Sequence, residues 1–238
     1  MPSPAAYRVA GHVVALGLHL TNTAVILGNF NEELLRTDPD IRNLHFMQFK
    51  FLTTWNMVFQ LMYATLGLVC DGLTLLGRDD VTPKTVRKLR NAIFESIVCP
   101  YSLFIVGIFW SLYNYNRDWL YPEYIDKVVS FNSNLVMHLA ILPVVLWELS
   151  FQERTRPKSD KLSLQVLTAL YIVYNLVILY TYFQRNLWPY PLIYQVFGTV
   201  LYPILVMLML ALIVLSYYVQ WEIHAWIWRP LKVTQKNN

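Results

Sequence analysis

The chain has 238 residues, 56% of them hydrophobic and only 14% charged, with a formal net charge of +4. A soluble domain carries about a quarter charged residues, so much of this surface is not built to face water. The basic residues fall in short segments between apolar runs, not on one basic face, which excludes a nucleic-acid binder.

Spanning the ~30 Å hydrocarbon core of a bilayer takes about 20 mostly apolar residues. Six stretches qualify. They run from about Val9 to Gly28, Phe49 to Leu76, Ala92 to Tyr113, Phe131 to Glu148, Leu162 to Tyr182 and Ile193 to Val219. The first is interrupted by Asn22 and Thr23 and has no small-residue cleavage site after a compact apolar core, so it is expected as a retained helix and not a signal peptide. The segments 29–48, 77–91, 114–130 and 152–161 are rich in charge and turn formers and are expected as loops. Pro100, Pro143 and Pro203 are expected to kink their helices. With no internal repeat, the pattern predicts one all-α domain over residues 1–238, a polytopic membrane bundle of six transmembrane helices.

Orientation follows from Lys and Arg in the loops. The two termini together with segments 77–91 and 152–161 hold thirteen of them, and the opposite side holds six. The N- and C-termini are therefore expected on the cytoplasmic side. The sequences YPEYID (121–126) and WPYP (188–191) are then expected on the luminal or outer side.

Polar side chains at membrane depth are costly and usually face the bundle interior. The second span carries Thr53, Asn56, Gln60 and Tyr63 on one helical face, and the stripe continues through Gly67 to Asp71. Such a stripe can serve only to glue helices, and a lone Thr often bonds back to its own backbone. The fourth span carries Asn134 and His138 one turn apart. His12 and His19 in the first span compete for the same role, while His45 and His224 are expected near water.

With a rise of 1.5 Å per residue, Thr53 lies roughly 5 Å past Lys50 and His138 about 12 Å past Ser130. Both fall in one leaflet, which His12 cannot easily reach and His19 can. A hydroxyl near an imidazole is the minimum for a nucleophile with its base. Asn56, Gln60 or Asn134 are candidates to orient the base or donate to an oxyanion. Apolar walls would admit acyl chains of a lipid substrate directly from the bilayer.

A second cluster, Asp71, Glu95, Glu148 and Glu153 with Arg87, Lys88, Arg90 and Arg154, is expected to form structural ion pairs. There is no HExxH, glycine-rich phosphate loop or GxSxG elbow, so no metal or organic cofactor is expected. Cys70 and Cys99 stand at no metal-ligand spacing and read as buried apolar residues.

Five blocks stand in the order and spacing of a known group: KFLTTWNMVFQ (50–60), LRNAIFESIVCP (89–100), FWSLYNYNRDWLYP (109–122), MHLAILPVVLWE (137–148) and WPYP (188–191). On these the sequence resembles the androgen-induced protein and androgen-dependent TFPI-regulating protein family. The resemblance implies a multi-pass membrane threonine hydrolase that cleaves fatty acid esters of hydroxy fatty acids. It assigns the nucleophile to Thr53, after K-F-L, and the base to His138, before L-A-I-L-P. The family often has an acidic residue where this chain has Asn56. The implied partners are a branched lipid ester and the membrane, in the endoplasmic reticulum or another endomembrane, or in the plasma membrane. The alternatives from other classes are a non-catalytic membrane adaptor and a lipid or small-molecule transporter.

Overall fold

The computed structural model describes residues 3–236, with side chains to Arg229. Six helical spans are long and apolar enough to cross a membrane: Pro4–Asn29, Leu52–Leu75, Lys84–Trp119, Phe131–Phe151, Lys161–Arg185 and Leu201–Arg229. All six expected spans are present, and no strand occurs among the described residues.

The long helices are α1 (Pro4–Asn29), α4 (Leu52–Leu75), α6 (Cys99–Asn116), α9 (Lys161–Arg185) and α11 (Leu201–Lys236). Helix α1 lies along α4 in the most extensive contact of the bundle. The span that contains α6 is central, with 61% of its most apolar window buried, against 11% for α11. The outer face of α11, including Ile204, Met207 and Leu208, is exposed and apolar, as a lipid-facing surface must be.

Two segments expected as loops are largely helical. Segment 29–48 holds α2 (Glu32–Thr37) and α3 (Pro39–Met47). Its turn formers are helix caps. Asn31 Oδ1 accepts the Leu34 N–H at 2.8 Å, and Asp38 Oδ1 accepts those of Asp40 and Ile41 at 3.0 and 3.2 Å. Pro39 supplies a first helical residue that needs no donor. Segment 77–91 holds most of α5 (Lys84–Ile93), which follows Pro83 and runs into α6.

The three prolines behave differently from one another. Pro100 cannot donate to the carbonyl four residues back, and the turn before it, Phe94–Val98, widens to a π-helix. Pro203 lies in the first turn of α11, where helical amides have no partner anyway, so it makes no kink. Pro143 breaks its span into α7 (Phe131–His138) and α8 (Ile141–Phe151). Its ring denies an amide to the Leu139 carbonyl, which instead accepts the Leu142 N–H at 3.0 Å. The freed carbonyl of His138 is caught by Trp110 Nε1 at 3.0 Å. The sixth span begins at Leu201 and not near Ile193, because α10 (Pro191–Val196) is a separate short helix. Gly198, at φ +81°, turns the chain between them.

Candidate active site

Helix α4 buries the whole expected stripe, Thr53, Asn56, Gln60, Tyr63, Gly67 and Asp71, on one face. The two ends of that stripe have different surroundings.

At the first end, Thr53 Oγ1 stands 3.2 Å from His138 Nε2. Elsewhere in the bundle the hydroxyls of Thr65, Thr74 and Thr181 bond back to carbonyls four residues earlier in their own helices. Thr53 makes no such bond. It is the second residue of α4, and the carbonyl four positions back, Phe49, accepts the indole N–H of Trp55 at 3.0 Å. Its neighbour Thr54 bonds instead to the Gln48 carbonyl at 2.7 Å.

His138 reaches Thr53 from the last turn of α7, just before the break set by Pro143. Its Nδ1 lies 2.7 Å from Asn134 Oδ1 and 3.2 Å from the Asn134 carbonyl. Both partners are acceptors, so Nδ1 carries the ring hydrogen and Nε2 faces Thr53 as an acceptor. Phe109 stacks on the imidazole with centroids 3.5 Å apart and planes 8° from parallel, which fixes the ring plane.

Thr53 and His138 share a cavity of about 310 Å³. Its walls come from α1, α4, α6, α9 and α11 and are almost entirely apolar. The exceptions on the α9 and α11 side are phenols and one amide: Tyr171, Tyr174, Tyr190, Tyr202 and Asn175. The Tyr202 hydroxyl is buried and has no hydrogen-bond partner. Sequence reasoning missed all five. The WPYP block containing Tyr190 was visible, but nothing in the sequence shows that it folds back onto the start of α4.

Asn56 and Gln60 do not line this cavity. The side-chain amides of both donate to Ser102 Oγ, at 3.1 and 3.0 Å, and Gln60 Oε1 lies 2.8 Å from His19 Nε2. Ser102, fully buried on α6, is a polar partner that the sequence did not single out. His19 is thereby held on Gln60 and away from the Thr53 hydroxyl. Asn134 is held on His138, where it orients the ring.

The second end is an ion cluster. Arg8 Nε and Nη2 donate to Asp71 Oδ1 at 3.0 and 2.9 Å. His12 Nε2 lies 3.1 Å from Asp71 Oδ2, and Arg90 Nη2 is 2.8 Å from the same oxygen. Arg90 and Arg154 both pair with Glu148 Oε1, at 3.3 and 2.9 Å, and Tyr63 donates to it as well. Arg154 Nη1 also lies 3.5 Å from Glu95 Oε1. The close approach of α1 needs Gly67, because a Cβ there would stand 2.3 Å from His12 Nε2. Of the residues expected here, Arg87 pairs with Asp79 at 3.0 Å instead. Lys88 and Glu153 are exposed.

Fold and site together define a multi-pass helical membrane protein with a hydroxyl–imidazole pair set in an apolar cavity. A family model described as FAR-17a/AIG1-like protein matches residues 16–225, and the chain belongs to that family. The chain is 30% identical to an androgen-dependent TFPI-regulating protein of Mus musculus over 172 residues, 71% of this chain and 74% of the relative. The Homo sapiens protein of the same name is 32% identical over 145 residues, covering 60% and 62%. The androgen-induced gene 1 protein of Homo sapiens is 26% identical over 148 residues, again 60% and 62%. The matched stretch is thus about three quarters of the mouse relative and little more than three fifths of the human ones. No solved structure matches the chain.

Proposed function

We propose that this protein is an integral membrane carboxylic ester hydrolase that cleaves fatty acid esters of hydroxy fatty acids. The observation that carries the proposal is the 3.2 Å approach of the Thr53 hydroxyl to an imidazole nitrogen free to accept its proton, inside an apolar cavity of about 310 Å³. A buried hydroxyl beside an acceptor imidazole is poised for nucleophilic attack.

In the first step Thr53 Oγ bonds to the ester carbonyl carbon and its proton passes to His138 Nε2. The tetrahedral species collapses, the C–O bond to the hydroxy fatty acid breaks, and His138 returns the proton to the leaving oxygen. Water then attacks the acyl-threonine with His138 again as base, releasing the fatty acid and restoring the Thr53 hydroxyl. Asn134 keeps the hydrogen on Nδ1 throughout. No step in this scheme calls for a metal or cofactor.

The lipid enters with its chains in the bilayer and its ester at the depth of the pair. The excess of Lys and Arg at the opposite ends of the spans supports a reading with both termini in the cytoplasm and the Thr53 end toward the lumen or exterior.

The test is hydrolysis of a branched fatty-acid ester in membranes that carry the full chain, or its Thr53→Ala or His138→Ala variant. The reading predicts turnover by the parent chain and none above background by either variant. Full activity in either variant rules it out. Saturable transport of a labelled lipid with no cleavage would favour the transporter alternative.

A further inference from the structure

An attacked ester carbonyl becomes an oxyanion and needs hydrogen-bond donors aimed at it. The neutral amides of the stripe are not placed for this, since neither Asn56 nor Gln60 lines the cavity and each donates to Ser102 on α6. The donors must come from elsewhere in the cavity.

Tyr190 reaches the start of α4 from the segment between α9 and α10. Its hydroxyl oxygen accepts the backbone N–H of Leu52, the residue before Thr53, at 3.1 Å. The Tyr174 hydroxyl donates to the same oxygen, also at 3.1 Å. Two donors already occupy the oxygen, and among the described residues nothing accepts the Tyr190 hydrogen. The phenol therefore carries a free donor into an apolar cavity that also contains Thr53 and His138. Donation into an oxygen strengthens the bond that its own hydrogen makes. Burial pushes the Tyr190 phenol above its ordinary value, so the proton is held at neutral pH.

The segment that delivers Tyr190 is stiff. Pro189 and Pro191 flank it, and Trp188 is buried and stacked on Tyr182 with centroids 4.4 Å apart. Phe51 packs edge-on against the Tyr190 ring at 5.7 Å. A second donor lies next to Leu52. The Thr53 N–H, in the first turn of α4, has no backbone acceptor among the described residues.

We infer that Tyr190 is the side-chain oxyanion donor of this site, acting with the backbone N–H of Thr53, and that Tyr174 is a positioning residue that holds the Tyr190 oxygen in place. The inference rests on the Thr53–His138 reading. As Thr53 Oγ bonds to the carbonyl carbon, the carbonyl electron pair moves to oxygen, and the Thr53 proton goes to His138. Tyr190 and the Thr53 amide stabilise the negative oxygen by hydrogen bonds and transfer no proton.

The experiment compares the full chain with Tyr190→Phe, Tyr174→Phe and Thr53→Ala on one branched fatty-acid ester, with melting temperature measured for each. Tyr190→Phe is expected to lower kcat by about 10²- to 10³-fold, the loss seen when one oxyanion donor is removed. KM should stay within about threefold, because the bond matters in the transition state and not in substrate binding. Tyr174→Phe should lower kcat less than about tenfold, since Leu52 still anchors Tyr190. A Tyr190→Phe protein with kcat within about threefold of the parent, beside an inactive Thr53→Ala, overturns this inference and leaves the hydrolase intact. An active Thr53→Ala overturns the hydrolase reading itself. Should Tyr190→Phe not fold, a structure of the parent protein with a fluorophosphonate on Thr53 decides. The phosphonyl oxygen is expected at about 3 Å from the Tyr190 hydroxyl, and beyond about 4 Å the inference fails.

Discussion

The two ends of the α4 stripe share a helix face and differ in how their polar groups are satisfied. At the Asp71 end, three guanidinium groups meet three carboxylates, one phenol and one imidazole, and the carboxylate oxygens are largely taken up by protein partners. At the Thr53 end the groups are neutral, a cavity opens beside them, and several hydroxyls lack a full set of partners. Charges paired with one another hold helices together, even where Arg90 Nε and Arg154 Nε are left without a hydrogen-bond partner. Neutral groups beside open space have donors and acceptors to offer a ligand. Burial alone does not separate the two, since Thr53 and Asp71 are both buried.

The sharpest way to break this contrast is to separate activity from stability. His138→Ala is expected to lower ester hydrolysis by about 10³-fold or more while the protein melts at nearly the parent temperature. Glu148→Ala should do the reverse to the fold. It leaves Arg90 and Arg154 buried without their shared carboxylate, a loss of about 3–5 kcal/mol, read as a fall in melting temperature in detergent. Near-equal destabilisation by the two variants would erase the distinction.

Gly67→Ala tests the same end by volume. The added methyl would stand 2.3 Å from His12, so α1 and α4 must separate or His12 must leave Asp71. The expected destabilisation is about 1–3 kcal/mol, measured by thermal melting. Asn134→Ala should reduce kcat by about tenfold to a hundredfold, because the backbone carbonyl at 3.2 Å keeps only part of the ring's orientation. The steady-state rate on the same ester checks this.

The periodic elements were legible in the sequence, and the chain's returns on itself were not. Steps of three and four along α4 gave the stripe, and a one-turn spacing paired Asn134 with His138. Those patterns follow from the helix repeat and need no tertiary knowledge. The capped helices α2 and α3 were read as loops because Asn31, Asp38 and Pro39 serve turns and helix starts equally well. Tyr190 and Tyr174 were missed because no local pattern says that residues so far along the chain fold back onto Leu52. Ser102 was passed over because a serine in an apolar span usually satisfies itself, and this one does donate to the Val98 carbonyl at 2.6 Å.

The smallest expected effect lies outside both regions. Asp38 caps α3 and pairs with Lys127 at 2.7 Å. The Lys127 hydrogen bond holds its carboxyl below the ordinary value of 3.8, with further help from the amides it caps. A lowered carboxyl contributes stability that is complete above the ordinary value and is lost as pH falls through the folded one. Faster amide exchange at Asp40 and Ile41 is therefore expected only below about pH 4. Lys127→Ala should raise the pH at which that loss begins.

The most direct test of the account is the site of a covalent label. The intact protein in membranes, treated with a fluorophosphonate and digested for mass spectrometry, is expected to carry the adduct on Thr53. The adduct should fall to background in His138→Ala. An adduct on another residue, or labelling of Thr53 that persists undiminished without His138, would contradict a hydroxyl activated by that imidazole.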